Sequence, residues 1–130
     1  MKENTYMEAL TDKNWESLNG GEKSAVRMYG FSKRAGYDVL VSGWGESVRE
    51  DDAEDFAKTL RESGIREFYF ISDFSNQLSG WLALDKAGLK LCGICEIENP
   101  EYVREVERYG SSDQDEKIPA LKFVFEEEAA

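Results

Sequence analysis

Cys92 and Cys95 stand three residues apart, the spacing of a two-cysteine redox pair or of half a zinc site. In a redox motif of that kind the pair opens a helix that follows a strand. Here it falls inside a stretch that alternates like a strand, where residues three apart point to opposite faces. A zinc site needs two further ligands, and a chain with no histidine offers only Asp or Glu. The pair therefore reads as two buried core cysteines, with neither metal nor cofactor expected.

The missing imidazole removes more than zinc. No Ser-His-Asp or Cys-His nucleophile can form, so acid–base chemistry falls to carboxylates, Lys or Tyr. Gly43-Trp44-Gly45 follows a strand-like run but lacks the third glycine of a dinucleotide fingerprint, and no phosphate-binding Gly-rich loop with Lys-Ser/Thr is present. These glycines read as turn chemistry. The polar group Ser72, Asp73, Ser75 and Asn76 lies between a strand and a helix, where open α/β sheets hold ligands. Helix capping by Asp73 or Ser75 already accounts for it, so it is a secondary ligand-site candidate. No paired-acid hydrolytic groove can be argued, and the default for the carboxylates is a solvated face.

The elements that must position these groups centre on residues 51–97. Asp51 and Glu54 have the spacing of a capping box. Ala53, Phe56, Ala57 and Leu60 then form one helical stripe, which Gly64 ends with Ile65 as the apolar contact beyond. Residues 67–72 are apolar on alternate and intervening positions, as in a strand covered on both faces. A second helix carries Phe74, Leu78, Trp81, Leu82 and Asp85 along one side and stops at Gly88. Residues 89–98 form a strand with Leu89, Leu91, Cys95 and Ile97 on one face. Helices between these strands imply parallel pairing.

Outward from this centre, residues 22–35 read as a helix with Val26, Tyr29 and Lys33 on one side, and residues 38–42 as a short strand. Residues 1–21 form a poorly defined N-terminal segment, with Tyr6, Leu10, Trp15 and Leu18 in a loose stripe broken at Gly20-Gly21. Asn99-Pro100 has the form of a helix cap with Pro at the first position, within a long acidic loop at about 99–117. Residues 120–126 alternate as a closing strand, paired antiparallel with residues 89–98. The expected architecture is one α/β domain over residues 22–130. It holds a mixed sheet of about four strands with helices packed against it, ending in an antiparallel edge hairpin.

Charge is the strongest compositional feature: the net charge is −11 and unevenly placed. Residues 46–55 hold six acids against Arg49, and residues 96–116 hold eight against Arg104 and Arg108. Direct binding to a nucleic-acid backbone is excluded, because that requires clustered Lys and Arg. A basic protein surface is the fitting partner. The candidate partner-binding residues are Glu46, Glu50, Asp51, Asp52, Asp55, Glu101, Glu105, Asp113, Asp115 and Glu116. No apolar run reaches the roughly eighteen residues of a membrane span, and no secretory signal is visible. With two cysteines, this points to the cytoplasm and to a monomer or small homo-oligomer.

The pattern Asp52-Ala-Glu-Asp-Phe56, Leu60-Arg61-Glu62-Ser-Gly64-Ile65, Glu67-Phe68-Tyr69-Phe70 and Phe74-Ser75-Asn-Gln-Leu78 continues through Gly88-Leu-Lys90-Leu91-Cys-Gly93, Glu96-Ile97 and Ile118-Pro119-Ala120. It resembles a family of small uncharacterised proteins carried by conjugative and phage-related elements of Firmicutes, over roughly half the chain. The sequence departs from that family at residues 99–117, where the hairpin loop of the relatives is shorter. The resemblance implies no catalytic residues. It does imply a setting in which small acidic proteins inhibit host defence enzymes, CRISPR nucleases and restriction enzymes among them, by filling a basic channel meant for phosphates. The expected function is accordingly a non-enzymatic, anti-CRISPR-like inhibitor. Two alternatives remain: an accessory mobile-element protein with another protein partner, and a small-ligand binder or enzyme using the 72–76 turn.

Overall fold

The computed structural model describes residues 1–42, 48–71 and 78–126. Among them are α1 (Thr5–Thr11), α2 (Gly20–Ala35), β1 (Val41–Ser42), α3 (Ala53–Ser63), β2 (Glu67–Phe70), α4 (Leu78–Lys86), β3 (Leu89–Glu98), α5 (Pro100–Tyr109) and β4 (Lys117–Phe125). Four strands form one mixed sheet in the order β1-β2-β4-β3, parallel between β1 and β2 and antiparallel elsewhere. The α/β class, the mixed four-stranded sheet and the antiparallel edge hairpin are as the sequence implies. The parallel pair is β1 with β2; β2 and β3 run the same way but are separated by β4.

Two apolar clusters sandwich the sheet. Phe68 and Phe70 of β2, Phe123 and Phe125 of β4 and Leu89 of β3 pack under α1 to α4, where Met7, Met28, Tyr29, Phe56, Leu60 and Leu84 are buried. On the other face Tyr37, Val41, Tyr69, Ile71 and Ala120 form a smaller cluster, joined by Cys95, Ile97 and Ile118. Hence β2 is apolar on both faces because both faces are covered.

The N-terminal 21 residues belong to this core. Asn4 caps α1 by accepting from Met7 N, and Met7, Leu10 and Leu18 are buried. Trp15 lies 39% exposed, with Lys23 and Arg27 each 5.6 Å from its ring. The helix expected to begin at residue 22 begins at Gly20, behind a capping box in which Asn19 and Glu22 bond each other's backbone N–H. Its buried face is set by small residues, Gly21, Ser24 and Ala25, beside Met28 and Tyr29; Lys33 lies outside it. A Cβ on Gly21 would come 2.3 Å from Phe56 N, so α2 and α3 meet there backbone to backbone.

The expected capping box at Asp51 and Glu54 is absent. Residues 50–52 form a 3-10 turn, and Asp52, at the N-cap of α3, makes no side-chain cap bond. The Ala53, Phe56, Ala57, Leu60 stripe is buried as expected, and Gly64 ends the helix at φ 80°. In α4 the buried side is Gly80 and Leu84, not Leu78 and Leu82, which are 74% and 54% exposed. The cause is Gly80, whose Cβ position lies 2.7 Å from the Val48 carbonyl and so fixes which side of α4 faces inward. Phe74 lies outside the described residues.

In β3 the pairing slips between Leu91 and Gly93, a bulge at which Gly93 takes φ 135°. Leu91 is therefore 46% exposed, whereas Cys95 and Ile97 reach the smaller cluster. The long loop expected at 99–117 contains α5: Asn99 accepts from Glu101 N, Pro100 fills the first position, and Gly110 closes the helix.

Candidate functional site

The described candidate acids fall in two groups, one at the start of α3 and one on α5 and the segment that follows it. Glu50, Asp51, Asp52 and Asp55 gather where the 3-10 turn enters α3, with Glu54 among them. All are exposed except half-buried Asp52. Acids in a first turn are favoured by the positive end of the helix dipole, which gives this cluster a structural cause. The Asp52 carboxylate also lies against Gly20, at the first turn of α2.

Glu101 and Glu105 lie on α5, and Asp113, Asp115 and Glu116 on the segment that returns to β4. Asn99 ties this region together. It is buried, its Nδ2 donates to the Asp115 carbonyl, and its backbone N–H donates to the Glu116 carbonyl. Arg104 donates from Nη1 to the Ala35 carbonyl at 2.6 Å and so pins α5 to the end of α2.

The two acidic groups thus lie at opposite ends of α2. Its 16 residues separate them by about 24 Å. That exceeds the Debye length of about 8 Å at physiological salt, so they act as two sites rather than one field. None of the described candidate acids is in an ion pair. Among the described residues the ion-paired acids lie elsewhere: Glu8 with Lys33, Asp85 with Lys90 at 3.2 Å, and Glu67 with Lys122 at 3.9 Å. Glu46 and the turn residues Ser72, Asp73, Ser75 and Asn76 lie outside the described residues.

The perturbed groups are mostly tyrosines. A hydrogen bond to Glu62 raises Tyr6 to about 12. Burial, then the hydrogen bond to Glu67, raises Tyr69. Burial raises Tyr29 and Tyr37. Each is held in its neutral form, which suits structural donors rather than proton-transfer groups at neutral pH. Hydrogen bonds from Lys33 and Tyr29 lower Glu8, and the bond to Glu8 raises Lys33.

Cys92 is exposed and Cys95 half-buried, so the expectation of two core cysteines does not hold. The pairing slips between Leu91 and Gly93, so the strand alternation does not run unbroken from Cys92 to Cys95. Among the described residues no three His, Cys, Asp or Glu side chains come together as a metal site. No described helix is long and apolar enough to cross a membrane.

One feature escaped sequence reasoning. A cleft of about 500 Å³ lies between α3 and α4, with Glu50, Glu54, Arg61 and Lys86 around a floor of Ala53 and Ala83. Its lining comes from segments apart in sequence, 50–61 and 82–87, so it carries no local sequence signal. Arg61 is engaged, donating to the Ala87 carbonyl and stacking 4.5 Å from the Phe125 ring.

No curated protein matches the chain, and no solved structure matches it. A family model described as a domain of unknown function matches residues 24–125, from α2 to the end of β4. By that match the chain belongs to the DUF7698 family.

Proposed function

We propose that this chain is a non-enzymatic acidic protein-binding module of a mobile genetic element that inhibits a host nucleic-acid-targeting enzyme in an anti-CRISPR-like manner. The observation that carries the reading is that, among the described residues, the exposed candidate acids lie outside any ion pair, while the ion-paired acids there are Glu8, Glu67 and Asp85. Unpaired surface carboxylates retain their charge for a partner. Two acidic groups about 24 Å apart span about seven nucleotides of one strand at 3.4 Å each. A basic channel that normally follows phosphates would meet acid at both ends of that span.

The test is capture of basic partners from host lysate at low and high salt. The wild-type chain is compared with one in which Glu50, Asp51, Asp52 and Asp55 are reversed to Lys. Salt-sensitive capture that weakens on reversal supports the reading. Capture indifferent to both supports an accessory protein whose charge is incidental. That second reading is favoured by Asp52, which is half-buried against the first turn of α2 and so is not free for a partner.

A further inference from the structure

Among the described residues β3, ten residues long, is one edge of the sheet, the other being the two-residue β1. β2 pairs with β4 only at residues 121–124, so residues 95–98 and 117–120 pair only with each other, as a two-stranded ribbon. One face of the ribbon is backed: Cys95, Ile97, Ile118 and Ala120 pack on the Tyr37 cluster. The other face is open. Ile94 is 78% exposed, and Glu96, Glu98, Lys117 and Pro119 are exposed with it.

An unpaired strand edge offers a row of backbone donors and acceptors, and proteins ordinarily protect such edges with charge or bulges. Here the bulge interrupts the edge at residue 92 and leaves a regularly paired run over residues 93–98. Glu96 and Glu98 decide what can join it. A second copy pairing antiparallel through the same run brings these carboxylates against their own counterparts, which is destabilising. A strand with cations at those positions meets opposite charge instead, with its alternating apolar side chains on the face of Cys95 and Ile97.

We infer that the β3 edge over residues 93–98 is a docking site for an extended basic segment of a partner protein, which adds to the sheet as a fifth strand. The inference rests on the acidic-partner reading and specifies where on the surface such a partner is held.

The test uses the full chain, isotope-labelled for amide NMR, and two eight-residue peptides. One alternates Lys and Val; the other has the same sequence N-methylated on alternate residues, which keeps the charge and removes the strand's donors. The unmodified peptide is expected to shift and protect the amides of residues 93–98, and the methylated one is not. Reversal of Glu96 and Glu98 to Lys is expected to weaken the unmodified peptide about tenfold, with the β4 signals unchanged. Equal binding of both peptides overturns strand addition while leaving the charge reading intact. Shifts confined to the start of α3, or none at β3, also overturn it. Binding at β3 that salt does not weaken contradicts the choice of a basic strand.

Discussion

The Asp52 carboxylate occupies the space beside Gly20, so that a Cβ on that glycine would lie 2.1 Å from Asp52 Oδ1. The neighbouring Gly21 faces something less forgiving, the backbone of α3 at Phe56. A carboxylate at the end of a side chain can swing aside; a helix backbone cannot. Gly20→Ala is therefore expected to change stability little. Gly21→Ala should cost about 1–3 kcal/mol by overpacking, read as the difference between their denaturant midpoints.

The two helices at this junction also separate the candidate acids by role. Asp52 is half-buried against α2, whereas Glu50, Asp51 and Asp55 are exposed. Asp52→Lys should lower the melting temperature, and reversal of any one of the other three should leave it near the wild-type value.

The Glu8–Lys33 contact predicts an acid limb in the stability curve. The folded pKa of Glu8 lies below its ordinary value of about 4.3. A depressed carboxylate contributes stability above its unfolded pKa and loses it as pH falls through the folded one. Glu8→Gln should therefore show a smaller fall in melting temperature than wild type below about pH 4.3. Lys33, whose pKa is raised, keeps its contribution until alkaline pH and does not alter that limb.

The register of α4 can be read with two leucines. Leu84 is buried and Leu82 is 54% exposed. Leu84→Ala should cost about 2–5 kcal/mol, and Leu82→Ala less than about 0.5 kcal/mol. The reverse order would restore the face that the sequence pattern suggests.

Asn99 gives a prediction for the acidic extension. Its side chain caps α5 and bonds the Asp115 carbonyl. Asn99→Ala should cost about 1–2 kcal/mol and speed amide exchange in α5 before that of β2.

How far these features were legible depends on whether their causes are local. The α3 stripe, the Gly64 stop, the Asn99-Pro100 cap and the closing strand are set by neighbours in sequence, and periodicity and caps reveal them. The inward side of α4 is set by Val48, 32 positions before Gly80, and no pattern within the helix encodes that contact. The bulge did leave a trace: a glycine inside a strand, Gly93, marks such a site. Reading through it misplaced Leu91 and the two thiols. The acidic segments were visible as clusters, but their separation along α2 is tertiary and had no sequence signature.

On the proposed inhibitor role the exposed carboxylates are the working surface. The most direct measurement is affinity for a partner captured from host lysate, determined across a salt series with and without competing DNA. Affinity is expected to fall steeply with salt, DNA to displace the chain, and reversal of Glu50, Asp51 and Asp55 to weaken binding. Salt-independent affinity that DNA leaves unchanged and that survives the reversal would contradict that role.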